Sequence, residues 1–467
     1  MDTAASTQRK QRPYIFLGQT TSLCETCLAL VPAKIQQADN QVFFEKRCRD
    51  HGVTRTLVST DADYYKATRS FLKPGDRPLK IQSKTEHGCP YDCGLCADHE
   101  QHSCLAIVEV NEHCNLTCPV CFAGSSPAHT MQRSMEEIEF MFDVLVDSEG
   151  EPDVVQLSGG EPTLHPQFLD IVRLAKSKPI RHLMINTNGL RIAQDPEFVA
   201  GLAELKQGIE IYLQFDSFER DALMEMRGAD LRRIRLDALA ALEKHNISTT
   251  LVSTIKKGLN DQEIGKTIDF ALDYRCIRGV TFQPIQDAGR NADFDKNTDR
   301  VMVTDIRNQI IKAGGAFKAE DIIPLPCNPE MISVGYGIRN GRDVAPVTSF
   351  LPHDLLVSAI PNTMNFEQYP ELRTKVEEFF SLATTEQTAE TRLGDLLCCL
   401  PQVPIPNGLG YENIFRIAIV SFMDAYSFCV GGVKRSCIHF VTPKGQIIPF
   451  DTYNLFYRDG TIDRFRP

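Results

Sequence analysis

Three cysteines stand close together in CNLTCPVCF, with Cys114, Cys118 and Cys121 spaced C-x3-C-x2-C. Thiolates bind the irons of cubane clusters, and three thiolates hold only three of four irons. The fourth iron is then open, and it can chelate a small ligand through an amine and a carboxylate. The same spacing also suits zinc with His113 as a fourth ligand, or simply buried thiols. A second segment bears on the choice. LSGGEPTLHP (Leu157 to Pro166) closes an apolar run, and paired glycines there let bare backbone approach a ligand while leaving carbonyls free for an ammonium group.

Other cysteines carry different patterns. Cys89, Cys93 and Cys96 repeat C-x3-C-x2-C but have no Gly-Gly-Glu-Pro partner. Cys104 is placed to supply their fourth thiolate, with His99 and His102 as rivals. A fully ligated cluster would relay electrons or brace the fold; zinc, or a second open cluster, are the alternatives. Further upstream, Cys24, Cys27, Cys48 and His51 form C-x2-C…C-x2-H, which fits a tetrahedral mononuclear site of zinc-ribbon or rubredoxin type, holding zinc or iron. Cys327, Cys429 and Cys437, with Asp451 or His439, are candidates for a further cluster. Cys276 and the Cys398–Cys399 pair read as core thiols.

The elements that must position these residues begin after Cys104. Val- and Ile-rich runs at 105–110, 154–158, 182–186, 209–215, 249–255 and 280–285 alternate with amphipathic segments, the first of which has Ser134 as its N-cap. Six strand-then-helix units predict an α/β fold with a parallel sheet, curled into a partial barrel or left open, with ligands at the carboxyl ends of the strands. The expected organisation is a Cys/His module over 1–75, an auxiliary cluster segment over 76–104, the barrel over 105–300 and a separate, irregular C-terminal unit over 301–467. That last unit closes in a hairpin turning at Lys444–Gly445.

Composition narrows the function. A net charge of −11 without a basic stripe argues against nucleic-acid binding. The first residues lack an apolar stretch of signal-peptide length, and RIAIVSFM (Arg416 to Met423) is too short to span a membrane. A cytoplasmic location is expected. Ten of the 16 cysteines fall within the first 121 residues, which in a reducing compartment reads as metal binding rather than a disulfide framework.

Cys114, Cys118, Cys121, the aromatic Phe122 and Gly159 to Pro162, each at its place in the strand-helix series, make the chain resemble the radical S-adenosylmethionine (radical SAM) superfamily over about Leu105 to Ile285. The resemblance implies a partial (β/α)6 TIM-like barrel, a [4Fe-4S] cluster whose open iron takes S-adenosylmethionine, and a 5′-deoxyadenosyl radical that abstracts hydrogen. It implies that Gly159, Gly160 and Glu161 hold the methionine end. Asn186, Asn188, Gln214, Asp216, Ser253, Thr254 and Gln283, at later strand ends, are candidates for ribose, adenine or substrate. A low-potential reductant such as ferredoxin or flavodoxin is a further implied partner.

CPYDCGLC followed by Cys104 and the opening motif, with PFDTYN near the end, resembles the branch that includes archaeal tetraether lipid synthases and dihydropterin-methylating proteins. That branch often has cysteine at the position of Asp451. The reading on this footing is carbon–carbon bond formation on a lipid alkyl chain, with methylation of a pterin-like molecule as the alternative. A non-catalytic iron-sulfur or zinc protein for electron transfer is the alternative of another class. Gly159–Gly160–Glu161 at a strand end, for which an electron carrier has no need, separates the two classes.

Overall fold

The computed structural model describes residues 11–349 and 413–465. Cys398, Cys399 and the proline-rich PQVPIPNG segment lie outside the described residues. The chain opens with a four-stranded antiparallel sheet in the order β1 (Ile15–Leu23), β2 (Leu30–Ala38), β3 (Gln41–Cys48), β4 (Gly52–Ser59). Alternation decides which side faces inward. Along β3, Val42, Phe44, Lys46 and Cys48 are buried, while their neighbours are partly or fully exposed. The two turns, β1–β2 and β3–β4, carry the CETC and CRDH segments to one end of the sheet.

Six parallel strands follow, in chain order across the sheet: β5 (Leu105–Asn111), β6 (Val154–Gly159), β7 (His182–Thr187), β8 (Ile209–Gln214), β9 (Thr249–Ile255) and β10 (Ile277–Pro284). They agree with the runs read from sequence to within a few residues. Each is buried on both faces, as expected of parallel strands covered by helices. Val108, Leu157, Ile185, Ile211 and Leu251 pack outward on the helices, while Ile107, Met184, Tyr212 and Val252 point into the barrel. The helix Met135–Glu149 starts on a capping box, with Ser134 Oγ accepting from Glu137 N (3.2 Å) and Glu137 Oε2 accepting from Ser134 N (2.9 Å).

The C-terminal residues are not the separate unit expected from sequence. β14 (Ile414–Val420) pairs in parallel with β10, and β15 (Ile438–Val441) pairs in parallel with β5. β11 (Ile323–Pro324), β12 (Ile332–Asn340) and β13 (Asp343–Pro346) extend the sheet beyond β14, and β16 (Ile447–Pro449) extends it beyond β15. The cause is physical: an open six-stranded barrel has two edges of unpaired backbone groups, and these strands cover both. The strand path runs from β11 to β16 without closing on itself. β15 and β16 form the expected hairpin, with Gly445 at φ +76° in its turn.

The antiparallel sheet is fastened to the barrel by Glu25, which lies inside the CETC knuckle. Its carboxylate accepts from Thr56 Oγ1 (2.5 Å), lies 3.3 Å from Lys46 Nζ, and pairs with Lys296. Lys46 is 1% exposed, and its Nζ also donates to Ala425 O (2.9 Å). Glu25→Gln leaves the Lys46 ammonium buried against a neutral amide. Loss of about 3 kcal/mol in denaturant unfolding is the expected outcome, with recovery of most of it in Glu25→Gln/Lys46→Met. An unchanged unfolding midpoint in the single variant would show that this pair does not hold the two sheets together.

Candidate active site

The site is built on a loop that leaves β5. Cys114, Cys118, Cys121 and Phe122 line one cavity together with Gly159, Gly160 and Glu161 at the end of β6 and Asn186 and Asn188 at the end of β7. Gln214, Thr254 and Gln283, at the ends of β8, β9 and β10, line it too. All of these lie at carboxyl ends of parallel strands. The glycines are needed for a reason not expected from sequence. A Cβ on Gly159 would sit 2.3 Å from Asn111 O, and one on Gly160 would sit 2.2 Å from His113 O. The backbone they admit is therefore that of the cysteine loop itself, sealed by Gly160 N to Asn111 O (3.0 Å) and Glu161 N to His113 O (2.8 Å).

The other side of the loop is gripped by Arg290. Its guanidinium donates to the carbonyls of Cys118 (2.5 Å), Gly124 (3.1 Å) and Ser125 (2.7 Å), and its backbone exchanges two 2.9 Å hydrogen bonds with Cys121. Gly289, at φ +66°, lets the chain approach: a Cβ there would lie 2.2 Å from Phe122 O. Sequence reasoning missed Arg290. Its signal was a Gly-Arg pair just after the sixth strand.

Charge converges on the thiols. Burial pushes the Cys114 thiol up to about 12 and raises Cys118, so neither ionises at neutral pH without a cation. Arg227 lies beside Cys118 and Cys121, and Arg458 beside Cys121. Arg458 is held by Glu109 (2.9 and 3.2 Å) and stands over the rings of Phe122, Phe440 and Tyr453. A donor set of three thiols flanked by two guanidiniums suits an anionic thiolate cluster. Neither arginine was singled out from sequence.

Three expected site residues behave differently. Asp216 does not line the cavity. It is buried at φ +63° and pairs with Arg227 (2.6 Å) and Arg235 (2.8 Å), which do line it. Ser253 points the other way, with Leu251 and Ile255, because successive residues of β9 alternate faces; Thr254 is the one that reaches the cavity. Glu161 is saturated internally, accepting from Thr163 Oγ1 (2.6 Å), Thr187 Oγ1 (2.7 Å) and Asn188 N (2.8 Å). It braces the turn.

The remaining cysteines sort into separate places. Cys24, Cys27, Cys48 and His51 bring their ligand atoms within 4.8 Å of one another, with His51 Nδ1 3.5 Å from both Cys24 Sγ and Cys48 Sγ. The Cys89 to Cys96 turn packs under Tyr457, whose hydroxyl accepts from Cys93 N (3.0 Å) and lies 2.9 Å from Pro90 O and Tyr91 O. Cys104 groups not with that turn but with Cys327 and Cys437, because it immediately precedes β5 and Cys437 immediately precedes the neighbouring β15. Cys429 stands apart, 3.1 Å from Thr20 Oγ1. His439 Nε2 lies 3.1 Å from His99 Nε2, and Cys276 is a core thiol between β9 and the surrounding helices.

Two measurements test the loop. Arg290→Ala, and equally Arg290→Lys, which lacks the planar fork, should cut the iron retained after anaerobic reconstitution at least several-fold while far-ultraviolet circular dichroism stays unchanged. In metal-free protein, Cys114 should alkylate at pH 8 roughly a thousandfold more slowly than a free cysteine. The folded pKa is raised from 9.0 to about 12, so the neutral thiol favours the fold below pH 9, and that contribution is lost as pH rises toward 12. Fast alkylation at pH 8 would contradict the burial argument.

Residues 108–271 match the radical SAM superfamily, and residues 16–60 match the HMPTM N-terminal zinc ribbon domain. The chain is 28% identical to the 7,8-dihydro-6-hydroxymethylpterin dimethyltransferase of Methanocaldococcus jannaschii, over 96% of this chain and 95% of that one. It is 24% identical to the GTP 3′,8-cyclase of Shewanella denitrificans, over 47% of this chain and 64% of that one. Among solved structures, Streptococcus suis SuiB bound to S-adenosylmethionine aligns with a TM-score of 0.36 and 15% identity, covering 42% of this chain and 43% of that one. The parallel sheet, the loop after its first strand and the family matches agree: residues 108–271 form a radical SAM domain, residues 16–60 form a zinc ribbon domain, and the chain is a radical SAM enzyme.

Proposed function

We propose that this enzyme methylates a pterin-like heterocycle, with Cys114, Cys118 and Cys121 holding the [4Fe-4S] cluster and Gly159–Gly160 presenting backbone to the amino-acid end of S-adenosylmethionine. Cluster and S-adenosylmethionine together supply a carbon-centred radical able to abstract hydrogen from an unactivated carbon. The observation that carries the reading is the cavity's two-sided wall. One side, from β6 to β10, offers Gln156, Asn186, Tyr212, Gln214 and Gln283, with Arg227 and Arg235 beside them. The carboxamides are already oriented: Gln214 Nε2 donates to Asn186 Oδ1 (2.8 Å) and Gln283 Nε2 to Tyr212 Oη (3.2 Å). The facing side is apolar, with Ile107, Val420, Ile438 and the stacked rings of Phe422 and Phe450, whose centroids are 3.8 Å apart.

A flat heterocycle with a hydrogen-bonding edge and a π face matches both walls. An alkyl chain matches one and leaves the remaining hydrogen-bonding capacity of the other unmet, at a cost of about 1 to 3 kcal/mol for each polar group buried without a partner. Lipid coupling is therefore the less supported reading. The apolar stretch from Asn413 to Phe428 is largely core: Phe415, Ile417 and Ile419 pack on the helices, while Val420 and Phe422 reach the cavity. The relative that spans nearly this whole chain is named for a pterin, which points the same way. Cys89, Cys93 and Cys96 remain the candidates for an auxiliary cluster, whose fourth ligand is not Cys104. A small low-potential electron donor and a cytoplasmic setting complete the proposal, and among the described residues no helix is long and apolar enough to cross a membrane.

The test is anaerobic reconstitution with iron and sulfide, reduction, and incubation with S-adenosylmethionine and 7,8-dihydro-6-hydroxymethylpterin. Expected are 5′-deoxyadenosine and a pterin heavier by one or two methylene units, both absent from the Cys118→Ala variant. Coupled alkyl chains from a lipid substrate, with the pterin untouched, would restore the lipid reading. No nucleoside from cluster-loaded protein would remove the enzymatic reading altogether. In addition, Gln283→Leu should raise the KM for the pterin about tenfold or more while leaving abortive cleavage of S-adenosylmethionine intact.

A further inference from the structure

The cavity runs deeper than the cysteine loop at its mouth, and one polar residue in its lower part is left without a partner. Leu105, Ile107 and Ile438 line that lower part together with Gln156. Gln156 pairs in register with Ile107 of β5 on one side and Met184 of β7 on the other. Strand alternation turns it inward with Val154, while Val155 and Leu157 pack on the helices. It is 7% exposed, and it lies three residues before Gly159, roughly 10 Å along the strand. Among the described residues its carboxamide makes no hydrogen bond.

The polar groups around it are already engaged. Asn186 Nδ2 donates to Ser158 Oγ (3.2 Å), and Asn186 Oδ1 accepts from Gln214 Nε2 (2.8 Å). Gln214 Oε1 accepts from Arg227 Nη2 (3.4 Å), and Gln283 Nε2 donates to Tyr212 Oη (3.2 Å). Toward the amino ends of the strands the barrel is closed by a buried ion pair, in which Glu210 accepts from Arg416 Nη2 (2.6 Å) and lies 3.1 Å from His182 Nε2. Of the strand carboxamides that line the cavity, Gln156 is therefore the one with both amide atoms unpaired. A carboxamide flanked by Ile107 and Met184 and bonded to nothing is a cost to the fold that a leucine there would not carry. Such a local conflict is expected where a ligand resolves it.

The geometry points to Gln156 as the residue that sets which end of the heterocycle enters first, an inference that rests on the pterin reading. A carboxamide holds one acceptor and one donor group side by side, and without an internal partner it can turn to present them in either order. The lactam edge of a pterin, an N–H beside a C=O, is its complement. With that edge on Gln156, the pyrimidinone ring lies deep in the cavity. The second ring is then left at the level of Gly159 and the cysteine loop, the end at which hydrogen is abstracted. A ligand bound the other way round leaves Gln156 unpaired, so the residue selects orientation as well as substrate.

The test is anaerobic equilibrium dialysis of cluster-loaded, full-length protein in the presence of S-adenosylmethionine. The two probes are 7,8-dihydro-6-hydroxymethylpterin and its analogue methylated on the lactam nitrogen, which lacks the N–H. Wild type should bind the parent about tenfold or more tightly than the analogue. Gln156→Leu should weaken binding of the parent by about tenfold or more and bind the two compounds alike, while its thermal unfolding midpoint equals or exceeds that of wild type. Should the branched leucine prevent folding, Gln156→Met, unbranched and close in volume, replaces it with the same expectations. Equal binding of both compounds by wild type, or discrimination retained in the variants, would overturn the inference and leave the pterin reading standing. A lowered midpoint with unchanged binding would overturn it too, by making Gln156 a structural residue. Failure of wild type to bind either compound would remove both.

Discussion

The architecture of the active end depends on one close approach of two backbones. Asn111 and His113, on the way into the cysteine loop, lie against Gly159 and Gly160 at a distance that excludes any side chain on the glycines. Two backbone hydrogen bonds seal that contact, and Arg290 clamps the far side of the loop through carbonyls alone. The cysteine sulfurs are thereby placed largely by main chain on both flanks. Glu161, buried and saturated by Thr163, Thr187 and Asn188, ties this assembly to the next strand of the barrel.

The core pattern was legible from sequence because its periodicity is simple. Six runs of branched apolar residues separated by helical segments have few solutions, and the strands appear within a few residues of their expected limits. The CETC and CRDH pairs were legible for a similar reason, since two knuckles flanking a hairpin bring four ligands together locally. What failed depended on pairings distant in sequence. Cys104 lies close to Cys96 in the chain, yet its partners are Cys327 and Cys437, which only the β5–β15 pairing brings near. The C-terminal strands looked irregular because β14 and the short β15 are separated by loops, and nothing local says that they complete the parallel sheet. Ser253 was misjudged through the two-residue period of a strand, and Arg290 because an arginine serving carbonyls looks, in sequence, like any surface cation.

The two walls of the cavity have different origins, and this explains how one fold can present both. The polar wall comes from the inward-facing ends of β6 to β10, where carboxamides hydrogen-bond from strand to strand. The apolar wall comes mainly from the segments that cover the barrel's edges, with Val420, Phe422, Ile438 and Phe450 contributed after residue 413. Recognition of a heterocycle's edge thus belongs to the barrel, and recognition of its face belongs to the added strands.

That division has a consequence for how the molecule is made. The cysteines of residues 24–121 leave the ribosome well before β15, which covers β5 and brings Cys437 to Cys104. Joining strands so far apart in the chain is slow, because the loop-closure entropy is lost before the contact stabilises anything. Ten thiols are consequently exposed together on a nascent chain that has strands but no finished barrel. The ribbon, whose four ligands lie within about thirty residues, has everything it needs to take its ion at that stage. The cavity end does not, since half of its wall has yet to be translated, and so maturation of this protein has a built-in order from the ribbon to β15.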